Sequence, residues 1–179
     1  MENLKTATEF FDKHDLTVVT AESCTAGLIA GSLADLPGCG KWFKSGYVTY
    51  SPEAKMHILG VKKETIERFN LTSEEVAREM VEGTLRISEA NVAVANTGVA
   101  GPDKGEGGIP AGTVCFAWAF RMKDRPRIFS EKRHFGGDRN AVRQAAAEYA
   151  ITRIPALYEC CVNDSAQSGN PGSEPGGQF

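Results

Sequence analysis

Apolar positions recur along this chain with two periods, and their alternation sets out the elements. Leu4, Ala7, Phe10 and Phe11 fall at helical spacing within residues 2–13 and predict an amphipathic helix, which His14-Asp15 ends. Leu16–Thr20 is an apolar run that predicts a buried first strand. Glu22–Ala34 then reads as a crossover helix, and Pro37-Gly38-Cys39-Gly40 as a loop. Gly46–Tyr50 predicts a second strand. Ser51-Pro52 opens a short helix reaching about Leu59, with Pro52 at its first position.

The second half repeats these rhythms. A small helix is expected around Glu64–Phe69. Thr72-Ser73-Glu74-Glu75 reads as a capping box with Thr72 as the cap and Glu75 reaching back. The helix behind it places Val76, Met80, Gly83, Thr84 and Ile87 on one face and ends near Ala90. Asn91–Asn96 is a short buried strand, followed by the glycine turn Thr97–Gly101 and a polar, flexible loop over Lys104–Ala111. In the fourth strand, Gly112–Phe120, both alternating sets are apolar, so both faces are covered. Arg127–Phe135 is more polar and suits a sheet edge or a half-exposed position. Gly136–Arg139 turns into a last helix carrying Val142, Ala145, Ala146, Tyr149 and Ile154, which Pro155 kinks or restarts. From Val162 onward there is little to bury, so residues 1–161 are expected to form one domain and 162–179 a disordered polar tail.

Strands alternate with helices early, and two strands follow each other late. That order predicts an α/β protein, a three-layer α/β/α sandwich with a mixed sheet whose last strands form an antiparallel hairpin. Three turns follow strands and hold small polar residues: Thr20–Gly27, Thr97–Gly101 and Gly136–Arg139. Ligands of open α/β sheets bind beyond the carboxyl ends of the strands, where all three turns can converge.

Length and composition change this picture little. A chain of 179 residues suits one domain with a real core. The net charge of −3 gives no bulk reason to expect nucleic acid or a membrane surface as partner. No apolar run reaches membrane-spanning length, and Met1–Lys5 lacks a signal-peptide pattern, so a cytoplasmic protein is expected. Five cysteines without C-x-x-C spacing suit free thiols in a reducing compartment. His14, His57 and His134 show no metal-ligand spacing, and chemistry without a metal or other cofactor is the expectation.

Ser23 sits at the first turn, where a helix cap is the common use of a serine. Its surroundings do not match the G-x-S-x-G elbow, and no histidine is placed as its base. Lys55, five residues after Tyr50, can point back over the sheet edge, and it can act as a base if burial lowers its pKa. A solvated surface lysine is the competing reading. The Thr97–Gly101 turn offers backbone donors or is simply a tight turn. Arg139, at a helix start, suits a phosphate, or it is solvated beside a capping Asp138.

These segments together resemble the CinA C-terminal domain family, the nicotinamide-nucleotide amidohydrolases. The matching stretches are Thr20–Gly27, Gly46–Lys55, Gly98–Pro102, Pro110–Val114 and Gly137-Asp138-Arg139, in the family's order and spanning roughly residues 5–158. Ala26 stands where a glycine is frequent, and Asn96-Thr97 where serine is common before the glycine. Many members carry an additional N-terminal domain, and its chemistry is not expected of these residues.

The resemblance implies hydrolysis of the carboxamide of nicotinamide mononucleotide to nicotinate mononucleotide and ammonia, in pyridine nucleotide salvage. It implies Ser23 as nucleophile, Lys55 as base and Tyr50 beside them, with Thr97, Gly98, Gly101 and Arg139 binding a small nucleotide substrate. A homo-oligomer is also expected from it. A catalytically silent nucleotide-binding paralogue, or an amidohydrolase for another small amide, are the alternatives, and the Lys104–Gly108 loop can reshape the pocket.

Overall fold

The strands are β1 (Val18–Glu22), β2 (Phe43–Val48), β3 (Val92–Gly98), β4 (Thr113–Phe120) and β5 (Arg127–His134), in a computed structural model that describes residues 2–168. They form one sheet in the order β2-β1-β3-β4-β5. β1 pairs in parallel with β2 and β3, while β3–β4 and β4–β5 are antiparallel. The mixed sheet, the late hairpin and β5 at an edge are as the sequence predicts. The carboxyl ends of β1, β2 and β3 therefore open on the same edge. The registers Gly98↔Val114 and Thr113↔His134 bring the turn after β5 to that edge as well.

Two hydrophobic layers flank the sheet. On one face α1 (Glu2–Lys13), α2 (Leu28–Ala34), α6 (Arg139–Thr152) and α7 (Ile154–Ser168) cover Val18, Val94, Phe116 and Trp118. Trp118 is fully buried and donates its indole N–H to Ala150 O at 2.8 Å, so its polar handle is satisfied. On the other face α5 (Glu74–Arg86) lies over small residues, Ala93, Ala95, Ala117 and Ala119. The alternation along β4 thus sorts aromatics to one layer and alanines to the other, and the alanine face lets α5 approach closely. No helix among the described residues is long and apolar enough to cross a membrane.

Several boundaries differ from the sequence reading. β1 runs through Glu22, and α2 begins only at Leu28, because residues 23–27 form a turn with Ala26 and Gly27 at positive φ. β2 starts at Phe43 and ends at Val48. Ser73, not Thr72, caps α5 by accepting from Val76 N–H, while Thr72 N–H goes to Asn70 Oδ1. The cap therefore lies one residue later than expected, and the capping box is not formed, because Val76 stands three residues after Ser73. α5 ends at Arg86 and Ile87 is exposed. Pro155 restarts the helix as the second residue of α7, where its missing N–H is no loss. α7 continues through Ser168, into the stretch expected as a tail, and the rest of that expected tail lies outside the described residues.

The segment after β2 shows how packing sets a functional side chain. Ser51 caps α3 (Pro52–Ala54), which runs directly into a single π turn over Lys55–Leu59, and the small expected helix α4 (Lys63–Phe69) follows. Helix α5 presses on this turn through Gly83, where a Cβ would stand 1.8 Å from the Leu59 carbonyl oxygen. Arg86 donates to the same carbonyl at 3.0 Å, and Glu79 accepts from Lys62 N–H and the Thr65 hydroxyl. Gly83→Ala is expected to push the two backbones apart and destabilise the protein by about 1–3 kcal/mol, several degrees in Tm by thermal unfolding.

Candidate active site

Ser23 follows the last residue of β1 and is 7% exposed. Its N–H donates to Asn96 Oδ1 at 3.3 Å, so the end of β3 holds the end of β1. Ser23 is not a helix cap: Gly27 takes that position in α2 and brings no side chain. The capping is done from further back. Glu22 is fully buried, and its carboxylate accepts from the N–H groups of Gly27, Ile29 and Ala30 at 2.8–3.0 Å. The hydroxyls of Thr25 and Thr20 add to it at 2.6 and 3.3 Å. An acidic group at a helix N-terminus is favoured by both the free donors and the macrodipole. The helix N-terminus is thus already occupied, and these three N–H groups do not face a ligand.

Arg143 reaches across from α6 and donates to the carbonyls of Cys24 at 3.1 Å and Thr25 at 2.9 Å. Asn96 Nδ2 donates to Thr25 Oγ1 at 2.8 Å. The turn is therefore bonded to both β3 and α6. The Cys24 thiol beside Ser23 is buried, and that burial pushes its pKa up to about 12, so it is no thiolate nucleophile at neutral pH.

Lys55 is 1% exposed, and its Nζ lies 2.9 Å from Ser23 Oγ. The same nitrogen donates to the carbonyls of Thr49 at 2.7 Å and Tyr50 at 3.3 Å. Burial lowers its pKa to about 8, because an ammonium loses hydration there. Two carbonyls occupy two N–H directions, so in the neutral amine the lone pair is left for the Ser23 hydroxyl. An amine so placed can remove that proton, and an ammonium so placed can return one to a leaving group.

Tyr50 contributes differently from its side-chain position in the expectation. Its carbonyl meets Lys55, but its phenol is on Arg139, which donates to it at 3.0 Å. Arg139 is exposed and also donates to Gly101 O at 2.8 Å, which joins the α6 turn to the glycine turn after β3. Thr97 is buried, and its hydroxyl is committed to Leu71 O at 2.7 Å. Gly98 packs where a Cβ would stand 2.7 Å from Thr113 O, and Gly101 has φ +96 and precedes a cis bond to Pro102. All three sequence-predicted turns meet here.

Two adjoining cavities share Cys24, Tyr50 and Gly98. One, about 180 Å³, is lined by Ser23, Lys55, Asn70, Leu71, Thr97 and Glu106 among others. The other, about 240 Å³, is lined by Gly98–Gly101, Asp103 and Arg139. A larger groove of about 440 Å³ lies toward the other end of the sheet, lined by Leu85, Arg121 and Ile128, and has no nucleophile on its wall. The three histidines are not among the residues lining either cavity. Sequence reasoning assigned no role to Glu22, Asn96 and Arg143. The first two had a signal, a polar residue ending an otherwise apolar strand. Arg143 and Asn70 had none, and Glu106 was indicated only as part of the Lys104–Gly108 loop, which was expected to reshape the pocket.

The model of the CinA C-terminal domain matches residues 2–158. A relative from Pseudomonas putida, nicotinamide-nucleotide amidohydrolase PncC, is 46% identical over 149 residues, 83% of this chain and 91% of that protein. A CinA-like protein of Chlorobium phaeobacteroides is 45% identical over 144 residues, but the match spans 79% of this chain and only 34% of that longer protein. The crystal structure of competence damage-inducible protein A from Klebsiella pneumoniae superposes with a TM-score of 0.83 at 34% identity, covering 88% of this chain and 96% of that one. The chain belongs to the CinA C-terminal domain family.

Proposed function

We propose that this protein hydrolyses the carboxamide of nicotinamide mononucleotide to nicotinate mononucleotide and ammonia, a salvage step for pyridine nucleotides, by a Ser23–Lys55 mechanism. The observation that carries the reading is Lys55 Nζ, 2.9 Å from Ser23 Oγ and held by two carbonyls in a buried site. The name of the Pseudomonas putida relative supports the substrate.

Neutral Lys55 takes the Ser23 proton as Oγ bonds to the carboxamide carbon. The oxygen of that carbon becomes an oxyanion. The backbone N–H groups of Cys24 and of the turn at Gly98–Gly101, on the cavity walls, are the donors in reach. Collapse breaks the C–N bond, and protonated Lys55 gives its proton to the leaving nitrogen. Water then attacks the acyl ester with Lys55 again as base, which frees Ser23 and the nicotinate product. Arg139, beside the glycine turn in the adjoining cavity, binds the phosphate, so binding remote from the amide orients it.

Ser23→Ala and Lys55→Ala are each expected to cut ammonia release from nicotinamide mononucleotide at least ~10³-fold without loss of fold. Lys55→Arg loses as much, because a guanidinium stays protonated. Near-normal turnover by any of these variants sinks the mechanism.

The required form of Lys55 is the neutral one, and its pKa is lowered to about 8. The sign follows: kcat/KM rises about tenfold per pH unit below that pKa and levels above it, in a pH–rate profile of the free enzyme. A profile that falls through this range contradicts the assignment of Lys55 as base.

Arg139→Ala is expected to raise KM about 10- to 100-fold with a smaller change in kcat, since a charge-assisted contact to phosphate is lost. Steady-state kinetics with the nucleotide checks this. An unchanged KM removes Arg139 from the binding site.

A further inference from the structure

Glu106 lines the same cavity as Ser23 and Lys55, although it comes from the loop between β3 and β4. That loop is fastened. Gly105 N–H donates to Ile109 O at 2.8 Å, Gly108 N–H to Gly105 O at 3.1 Å, and Gly112 N–H to Val99 O at 2.7 Å. Gly105 lies so close to Val99 that a Cβ would stand 2.3 Å from its Cγ2. On the far side, a Cβ on Gly107 would sit 3.9 Å from Asn70 Nδ2, so the loop closes toward the turn before α5. Positive φ at Gly107 and Gly108 makes this tight path possible.

The carboxylate of Glu106 has no hydrogen bond or ion pair among the described residues. Besides the Cys24 thiol and the Tyr50 phenol, the ionisable groups lining the cavity are Lys55 and Glu106. When Lys55 is neutral, as the base must be, Glu106 leaves the cavity with a net negative charge. A ligand carrying a positive charge next to its carboxamide fits that field, and an uncharged amide gains nothing from it.

We propose that Glu106 is a specificity-determining residue that selects a cationic carboxamide ring in the cavity of Ser23 and Lys55. This rests on the reading above that nicotinamide mononucleotide is the substrate, because its pyridinium ring is such a cation. The carboxylate also separates substrate from product. The ring with its carboxamide carries one positive charge, whereas the ring with its carboxylate is neutral overall. Glu106 therefore holds the substrate ring and releases the product ring.

The experiment compares two ligands that share the phosphate and the carboxamide and differ in ring charge. They are nicotinamide mononucleotide and its reduced, dihydropyridine form. For Glu106→Gln, kcat/KM with nicotinamide mononucleotide is expected to fall about three- to tenfold through KM. The inhibition constant of the reduced form should stay within about twofold. Glu106→Asp, which keeps the charge, should retain most of the wild-type preference. Parallel losses for both ligands, or no loss for either, overturn the role of Glu106 while wild-type turnover leaves the proposed reaction standing. Absence of wild-type ammonia release overturns both.

Discussion

A buried lysine amine, with no carboxylate partner among the described residues, is the constraint around which the rest of this structure is arranged. Lys55 is 1% exposed, and desolvation is the leading cause of its lowered pKa. Keeping it charged there costs roughly 3 kcal/mol relative to water, a sizeable part of a domain's net stability. The surrounding elements supply what offsets that cost. The carbonyls of Thr49 and Tyr50 come from the chain just past β2, and the π turn carries Lys55 back toward them. Gly83 and Arg86 of α5 fix the far end of that turn. Remote packing on the alanine face of the sheet thus sets the direction of one amine.

A second buried charge stands one residue from Ser23, and its separation from Lys55 matters. Glu22 spends its acceptors on three N–H groups of α2 and two threonine hydroxyls. A carboxylate in contact with Lys55 would favour the ammonium and hold the proton on it. Because Glu22 is committed to the helix, it makes no hydrogen bond to Lys55, and the leading causes of the lysine's shift include no carboxylate. The helix N-terminus is therefore used to satisfy an anion of the protein rather than one of a ligand. A serine at this strand-to-helix turn therefore does not have these helix donors at its disposal.

Much of the fold was legible because it rests on periodicity. β4 alternates Val114, Phe116, Trp118 and Phe120 against small residues, and the structure sends those two sets to different layers. The edge character of β5 and the restart at Pro155 follow equally from local chemistry. What periodicity could not give were the ends of elements. An apolar period does not reveal that Glu22 belongs to the strand, since that depends on donors eight residues away in α2. The cap of α5 is Ser73, whose hydroxyl accepts from Val76 N–H, while Asn70 takes the Thr72 N–H that a capping box would give to Glu75. At the site, spacing alone left Lys55 as one surface lysine among many. Its burial is a property of α5 and β1 together, which no local window contains. Arg143 was hidden for the same reason.

The turn at Ser23 shows how a local departure from the family pattern is absorbed by distant contacts. Ala26, where glycine is frequent, has φ +49, a region in which a Cβ costs about 1 kcal/mol. The turn keeps this shape because its polar groups are bonded on several sides. Ala26 N–H donates to Ser23 O at 3.1 Å, Arg143 holds the two carbonyls between them, and Asn96 holds the Ser23 N–H and the Thr25 hydroxyl. Each of those bonds is individually modest, but they converge on four residues and leave the turn few alternatives. The same set fixes where Ser23 Oγ stands relative to Lys55. Strain at Ala26 and precision at Ser23 thus have one source, the cross-links from β3 and α6 to a turn that the local sequence does not by itself favour.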